Sequence, residues 1–166
     1  MHITAQTSYD ADPDRVAAML ADEAFVAAKV RASGALSQTV AVVGGADEAF
    51  TVTTRRQMPT TGVPAQFRSL VGSSLEVRQV EAWEAAGPHG RAGTVVVEVT
   101  GAPVRLTGTM RLEGGPGSTR VHLDGDLKSS VPLFGSVVEE ATAQALRSAL
   151  AAEEQTGRKW LAGTLP

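Results

Sequence analysis

The sequence contains no cysteine, which excludes a disulfide framework, a thiolate nucleophile and any metal or cluster held by cysteine. Aromatic residues are also scarce, with two Trp, one Tyr and four Phe among 166 residues. A core made mainly of Val, Leu and Ala has less side-chain volume with which to fill the space beneath a wide sheet. The composition is therefore compatible with an internal cavity.

Long apolar runs are missing as well. No stretch approaches the roughly 20 apolar residues that a membrane-spanning helix needs, and residues 1–4 lack the basic and apolar regions of a signal peptide. The formal net charge of −3 has the wrong sign for attraction to nucleic acid or to an anionic membrane. We therefore expect a cytoplasmic protein with no nucleic-acid partner and no stable membrane insertion.

The remaining composition is that of a globular domain. Hydrophobic residues make up 43% of the chain and charged residues 20%, close to the globular average. A chain of 166 residues is long enough to bury a sizeable core without staples. Since no linker, repeat or low-complexity tract interrupts it, we expect one domain over residues 1–166.

The first third of the chain changes from strand to helix periodicity. Residues 2–9 alternate between apolar and polar, which predicts a half-buried strand. Asp12 is a suitable N-cap, and Pro13 suits the first position of a short helix. Asp22 begins a second helix, and Gly34 ends it.

The middle of the chain predicts six more strands, separated by turns rich in glycine and proline. Most of them have one polar face, which is typical of an antiparallel sheet with water on one side. Between the second and third of these strands, 59–64 predicts a loop and 65–71 a helical turn, which we expect to act as a lid. The six strands are expected at 36–43, 48–56, 75–85, 93–100, 104–112 and 119–128.

The last segment has the apolar spacing of a long helix. Ser130 is the expected N-cap, Pro132 lies in the first turn, and the pattern continues to Leu161. Such a helix is about 45 Å long at 1.5 Å per residue, and Gly157 is expected to fray or kink its end. A seven-stranded sheet with one apolar face needs a cover, and only this helix is long enough. The order of elements predicts an α+β fold.

Three features resemble the helix-grip superfamily of START domains, Bet v 1-like proteins and polyketide cyclases. They are the strand–helix junction at 8–16, the strand spacing over 36–128, and Val-Pro-Leu-Phe-Gly at 131–135 followed by Glu139 and a terminal Trp160-Leu161. Within it, the likeness points to a group of bacterial proteins of unknown function. The resemblance implies a curved seven-stranded antiparallel sheet wrapped around a long C-terminal helix, with two short helices after the first strand. Because the superfamily includes transport, sensing, cyclisation and chaperone-cofactor roles, it does not select one function.

No catalytic or metal-binding pattern stands out. His2, His89 and His122 are not spaced as metal ligands, and we expect all three to face solvent. No nucleophile-elbow or phosphate-loop motif is present, so we expect no cofactor and no metal. Glu139 and Glu140 are of interest because adjacent helical residues point about 100° apart, which leaves one of them able to approach a cavity.

An apolar set is predicted to converge between the sheet and the last helix, either as packed core or as a ligand site. Thr54, Gln79 and Glu140 are candidate polar groups there, and an inward Arg56 or Arg78 is a candidate partner for a ligand carboxylate. The predicted ligand-binding residues are Phe50, Val52, Phe67, Leu70, Gln79, Trp83, Val97, Leu106, Met110, Phe134, Val137, Val138, Glu140 and Ala141.

Three functions remain open at this point. The first is non-catalytic binding or carriage of a small hydrophobic molecule, such as a lipid, an isoprenoid or a polyketide-like compound. The second is a cyclase or dehydratase that uses an inward Glu140 or Tyr9 as its acid–base group. The third is a module that binds a protein partner through an exposed apolar patch. The sequence does not indicate the ligand or the oligomeric state.

Overall fold

The computed structural model describes the backbone of residues 1–166 and every side chain except that of Leu70. In the first part of the chain a strand is followed by two helices and a hairpin: β1 (His2–Tyr9), α1 (Pro13–Leu20), α2 (Glu23–Ala32), β2 (Ser37–Gly44) and β3 (Phe50–Pro59). The 3-10 turns Thr60–Gly62 and Ala65–Phe67 then lead into the short helix α3 (Arg68–Val71). Four strands and the long helix complete the chain: β4 (Ser74–Trp83), β5 (Arg91–Thr100), β6 (Val104–Gly115), β7 (Ser118–Ser129) and α4 (Gly135–Leu161).

The strands form one antiparallel sheet of seven strands in the order β1-β7-β6-β5-β4-β3-β2. The sheet curves without closing, and α4 packs against β1, β7 and α2 on its concave side. The expected fold is therefore confirmed: a seven-stranded antiparallel sheet, a long C-terminal helix and two short helices after the first strand. Among the described residues, no helix, α4 included, is both long and apolar enough to cross a membrane.

The strand register determines which side chains face α4, because residues paired across an antiparallel ladder share one face of the sheet. Leu106 pairs with Leu127 on one side and with Val97 on the other, and Val97 pairs in turn with Gln79. Continuing the same row, Gln79 pairs with Thr54. One row across the concave face therefore runs from apolar residues in β7 and β6 to polar residues in β4 and β3.

Most of the buried apolar residues that the structure describes fall into two clusters. One joins Phe50 and Trp83, whose stacked rings have centroids 6.3 Å apart, to Phe25 of α2 and Met19 of α1. The other lies near the start of α4 and joins Leu106 to Ile3, Val104, Leu127 and Ala143. The space between the two clusters is where a cavity remains.

Both short helices begin where the sequence predicts, but their caps differ. Asp22 accepts from the Ala24 backbone N–H at 3.0 Å, and its other oxygen accepts from the Trp160 indole N–H at 2.6 Å. The expected cap at Asp12 is wrong in detail, because this side chain makes no cap hydrogen bond with α1. It accepts instead from the Gly117 N–H in the β6–β7 turn, at 2.5 Å.

The expected start of the last helix at Ser130 is also wrong. α4 begins at Gly135 with Phe134 as its N-cap residue, since the chain first makes a turn in which Leu133 has a φ of 66°. A left-handed backbone is strained for a residue with a Cβ, and the Leu133 side chain is 96% exposed. The expected fraying at Gly157 is not observed, because α4 runs on to Leu161.

Gly157 allows α4 to approach β1 closely. A Cβ at this position would lie 2.5 Å from the Tyr9 ring and 3.1 Å from the Met19 methyl group. We expect Gly157→Val to lower the free energy of unfolding by about 2–3 kcal/mol, because overpacking forces the backbone or the ring to move. Urea unfolding followed by circular dichroism measures this.

Gln155→Val is the matched control, because Gln155 is exposed on the same helix. It should cost only about 0.5 kcal/mol in helix propensity. Equal stability of the two variants would contradict the close approach of Tyr9 to Gly157.

Candidate functional site

A cavity lies between the concave face of the sheet and α4. Its volume is about 50 Å³, which is room for a few water molecules. Small-molecule sites usually measure about 300–1,000 Å³, so this cavity is much smaller than a usual ligand site. Most of the lining is apolar: Ala5, Leu20, Trp83, Val95, Val97, Leu106, Met110, Val121, Leu123, Leu146 and Leu150.

The polar part of the lining centres on two carboxylates that share one ammonium group. Lys29 of α2 donates to Glu81 Oε1 of β4 at 3.2 Å and to Glu153 Oε2 of α4 at 3.1 Å. The side chains of Lys29 and Glu81 are each 7% exposed, and that of Glu153 is 15% exposed. We call these three residues the Lys29 cluster; it connects two helices and the sheet at one end of the cavity.

A chain of hydrogen bonds extends from Glu81 across the inner face of the sheet. Gln79 donates to Glu81 Oε1 at 2.7 Å, and the Trp83 indole N–H donates to Glu81 Oε2 at 3.3 Å. Arg56 donates to Gln79 Oε1 at 3.1 Å and to Thr54 Oγ1 at 3.2 Å. Every polar group that β3 and β4 contribute here therefore has a partner.

Burial and mutual charge set the protonation of the Lys29 cluster. Burial alone lowers the pKa of Lys29, but Glu153 and Glu81 outweigh it and hold that pKa above its usual value. Burial raises the pKa of Glu81, yet Lys29 and the donors Trp83 and Gln79 outweigh it and hold that pKa below its usual range. The cluster therefore contains a stable cation and a stable anion.

Glu153 behaves differently from Glu81. Burial raises its pKa, the Lys29 ammonium opposes the rise, and the negative charge of Glu81 adds to it, so that the pKa stays above its usual value. Glu153 also receives fewer hydrogen bonds than Glu81, since Lys29 is its one donor among the described residues. It is the carboxyl of the pair that takes up a proton more easily.

Tyr9 is a further buried polar group beside the Lys29 cluster. It is 2% exposed, and its hydroxyl has no hydrogen-bond partner among the described residues. Burial and then the charge of Glu153 raise its pKa, so the phenol keeps its proton at neutral pH.

The structure brings some of the predicted site residues together at the cavity. Gln79, Trp83, Val97, Leu106 and Met110 line it directly. The other predicted residues whose side chains are described lie elsewhere.

Two of them belong to the packed core, where Phe50 and Val52 join the cluster around Trp83. Phe67 and Phe134 lie at another place, with ring centroids 5.1 Å apart in an edge-to-face arrangement. That pair joins the β3–β4 connection to the start of α4. The side chain of Leu70 lies outside the described residues.

The predicted residues of α4 point in different directions. Val138 packs on the cluster around Leu106, Ala141 is half-buried, and Val137 is 42% exposed. Glu140 does not approach the cavity, because its side chain is 64% exposed and faces Arg147 at 3.7 Å. Glu139 is held by the Ser129 N–H at 3.0 Å and does not line the cavity either.

The charged groups at the cavity come from residues that the sequence analysis did not select. Glu81 occupies an inward position of β4, which is why that strand alternates poorly. Lys29 is buried on α2 beside Phe25, Val26 and Val30. In the sequence, each of these charges stands alone on the apolar face of its own helix or strand. Only the tertiary packing shows that the three charges meet.

The two arginines that were candidates for an inward position lie on opposite faces of the sheet. Arg56 lies on the concave face opposite Val77, whereas Arg78 lies on the convex face, where Glu98 approaches it at 3.7 Å. His2 and His89 are exposed, and His122 lies on the convex face 3.1 Å from Glu113. Within the described part of the chain, no three His, Asp or Glu side chains group as metal ligands.

Comparison with known proteins places the chain in a family. Residues 4–161 match the family described as "Protein of unknown function (DUF2505)", so the protein belongs to that family. None of the functionally curated proteins matches it.

Solved structures show the same fold at low sequence identity. The protein TTHA0849 from Thermus thermophilus is 19% identical, with a TM-score of 0.60 over 94% of this chain and 96% of that one. A START superfamily protein from Mycobacterium smegmatis is 14% identical, with a TM-score of 0.56 over 96% and 98%. Ara h 8.0201 is 9% identical, with a TM-score of 0.54 over 93% and 95%. The fold is therefore that of the START and Bet v 1-like helix-grip proteins.

The Lys29 cluster leads to a pH-dependent prediction. Lys29→Met leaves two buried carboxylates without their cation, and we expect it to lower the free energy of unfolding at pH 8 by about 3–5 kcal/mol. The loss should be smaller at pH 5. Without the ammonium both carboxyl pKa values rise, and a raised folded-state pKa adds stability below the unfolded value that is lost as pH rises through the folded value.

Urea unfolding at the two pH values measures both effects. Lys159→Met is the control, because Lys159 is exposed on α4 and its loss should change stability little at either pH. A loss in Lys29→Met that is equal at pH 5 and pH 8 would mean that the two carboxylates are not what destabilises the variant.

Proposed function

We propose that the protein binds and carries a small, mainly apolar molecule in the cavity between the sheet and α4, without transforming it. The observation that carries this proposal is the lining, which is apolar except for the carboxylates of the Lys29 cluster and a few uncharged polar residues. Gln79, Trp83, Val97, Leu106 and Met110 would contact the ligand. The fold shared with a START superfamily protein and with Ara h 8.0201 supports such a scaffold.

Apolar burial would supply most of the affinity. Removing roughly 200 Å² of apolar surface from water contributes about 5 kcal/mol at 25 cal/mol per Å². One polar contact at the Lys29 cluster would then fix the ligand's orientation.

A ligand that buries roughly 200 Å² of apolar surface does not fit a cavity of about 50 Å³, so the cavity must widen to admit it. We place the opening at the β3–β4 connection. Phe67 is the one buried side chain among those described between residues 60 and 71. Its ring packs edge-to-face against the ring of Phe134. A segment with so few buried contacts opens at a low free-energy cost. Leu133 and Val137, both exposed apolar residues, lie beside Phe134 in the chain and would contact a ligand as it enters.

Enzymatic activity is the second candidate, and a specific observation favours it. Glu153 is a cavity carboxyl whose pKa is raised by burial, which is the usual preparation for a general acid. In this alternative Glu153, rather than Glu140, would be the acid–base group, with Tyr9 as its neighbour. Turnover of a bound compound by wild-type protein, lost in Glu153→Gln, would favour this function over carriage.

Binding is tested with N-phenyl-1-naphthylamine, an uncharged apolar probe whose fluorescence rises in an apolar environment. We expect saturable binding to the wild-type protein and about tenfold weaker binding to Val97→Phe, because the larger ring fills the cavity. Native mass spectrometry of gently purified protein should in addition show an adduct of a few hundred daltons.

Val96→Phe is the matched control. Val96 is the adjacent residue on β5 and pairs with Val80 and Thr107 on the convex face, so the probe should bind this variant as it binds wild type. Equal affinities for Val97→Phe and wild type, or no probe binding at all, would contradict binding in this cavity.

A further inference from the structure

Of the polar side chains that β4 and α4 contribute to the cavity wall, one carboxyl has an oxygen that accepts no hydrogen bond from a described residue. Glu81 Oε1 accepts from Lys29 and Gln79, and Glu81 Oε2 accepts from Trp83. Gln79 donates an amide N–H to Glu81, and its amide oxygen accepts a hydrogen bond from Arg56. Glu81 therefore receives three hydrogen bonds within the protein, and Gln79 uses both its amide nitrogen and its amide oxygen.

Glu153 has capacity to spare. Its Oε2 accepts from Lys29, while its Oε1 makes no hydrogen bond with any described residue. The side chain lines the cavity and is 15% exposed. A carboxyl group accepts hydrogen bonds at both oxygens, so a ligand group that donates a hydrogen bond would satisfy the second oxygen.

The charges at the cavity disfavour an anionic ligand. The two cations nearby, Lys29 and Arg56, do not line the cavity, and both are hydrogen-bonded to the cavity wall. A ligand carboxylate would instead meet Glu81 and Glu153, and like charges in a buried site repel strongly. The expectation that an inward arginine pairs with a ligand carboxylate is therefore not supported, although Arg56 does point inward.

We propose that the ligand is an apolar alcohol whose single hydroxyl donates a hydrogen bond to Glu153 Oε1 while its carbon skeleton lies along Val97, Leu106 and Met110. This inference rests on the proposed function and specifies the chemical class of its ligand. An uncharged donor completes the Lys29 cluster without adding charge to a buried site in which Lys29 and Arg56 balance Glu81 and Glu153. A carboxylate carries a charge, and an ether has no hydrogen to donate.

Three probes with similar chains separate the possibilities. Decan-1-ol donates and accepts, 1-methoxynonane has the same atoms but only accepts, and decanoate only accepts and is charged. Their affinities for wild-type protein are measured by displacement of N-phenyl-1-naphthylamine at pH 7.5. We expect decan-1-ol to bind at least about tenfold more tightly than either of the others, since an unmatched buried polar group costs affinity.

Glu153→Met should remove this preference, so that decan-1-ol and 1-methoxynonane bind equally. Gln155→Met is the control, because Gln155 is exposed on the same helix and its replacement should leave the preference intact. The comparison of probes in wild-type protein stands even where Glu153→Met folds poorly.

The outcomes distinguish the two proposals. Decanoate or 1-methoxynonane binding as tightly as decan-1-ol overturns the alcohol inference and leaves the carrier function standing. A preference for decan-1-ol that survives in well-folded Glu153→Met also overturns it, because the donor would then be recognised elsewhere. Failure of N-phenyl-1-naphthylamine and all three probes to bind overturns the carrier function, and the alcohol inference with it.

Discussion

The ion pairs of Lys29 with Glu81 and Glu153 are the interaction on which the interior depends. They join α2, β4 and α4, three elements far apart in sequence, at a point that is almost fully buried. Burying three charges costs several kcal/mol per ion, and an apolar set of equal volume is often at least as stable. The Lys29 cluster instead fixes the position of α4 on the sheet. The two carboxylates meet one ammonium only when α4 crosses the sheet at one height and in one rotation. Close packing of Tyr9 on Gly157, four residues along α4 from Glu153, fixes the same crossing by shape.

The asymmetry of the Lys29 cluster explains how one wall can stabilise the fold and still offer a hydrogen-bond acceptor that has no donor. Glu81 lies on the sheet and receives three hydrogen bonds, so its charge is satisfied within the protein. Glu153 lies on the helix and accepts a hydrogen bond from Lys29 alone among the described residues, which leaves its second oxygen without a donor. The remaining wall is aliphatic, and few large rings are present to fill the space. The cavity therefore combines an apolar body with a polar end at a defined place.

The sequence predicts the architecture well because the signals that determine it are local. Alternation on β6 and β7, glycine-rich turns and a long apolar repeat are properties of short windows, and they locate the sheet and α4. The failures concern contacts between distant segments. Asp12 has the chemistry of a helix cap but bonds to Gly117, which lies beside it only in the folded sheet. Gln79 and Glu81 place polar groups on the inward face of β4, which weakens the alternation of that strand, and periodicity alone does not show that the two side chains lie at one site.

Carriage and catalysis place different demands on the same side chains, and the structure meets the first more fully. Acid–base catalysis works best with groups whose pKa lies near the working pH, one to give a proton and one to take it. Tyr9 holds its proton firmly, because burial and Glu153 both raise its pKa, so it is a poor acid, and as a protonated phenol it is not available as a base at neutral pH. Glu81 is held as an anion by Lys29 and its donors and is not free to exchange protons. Of the two carboxyls, Glu153 is the one with an oxygen that accepts from no described residue, and a single such group would suffice to orient a ligand hydroxyl but would leave acid–base chemistry without its second member.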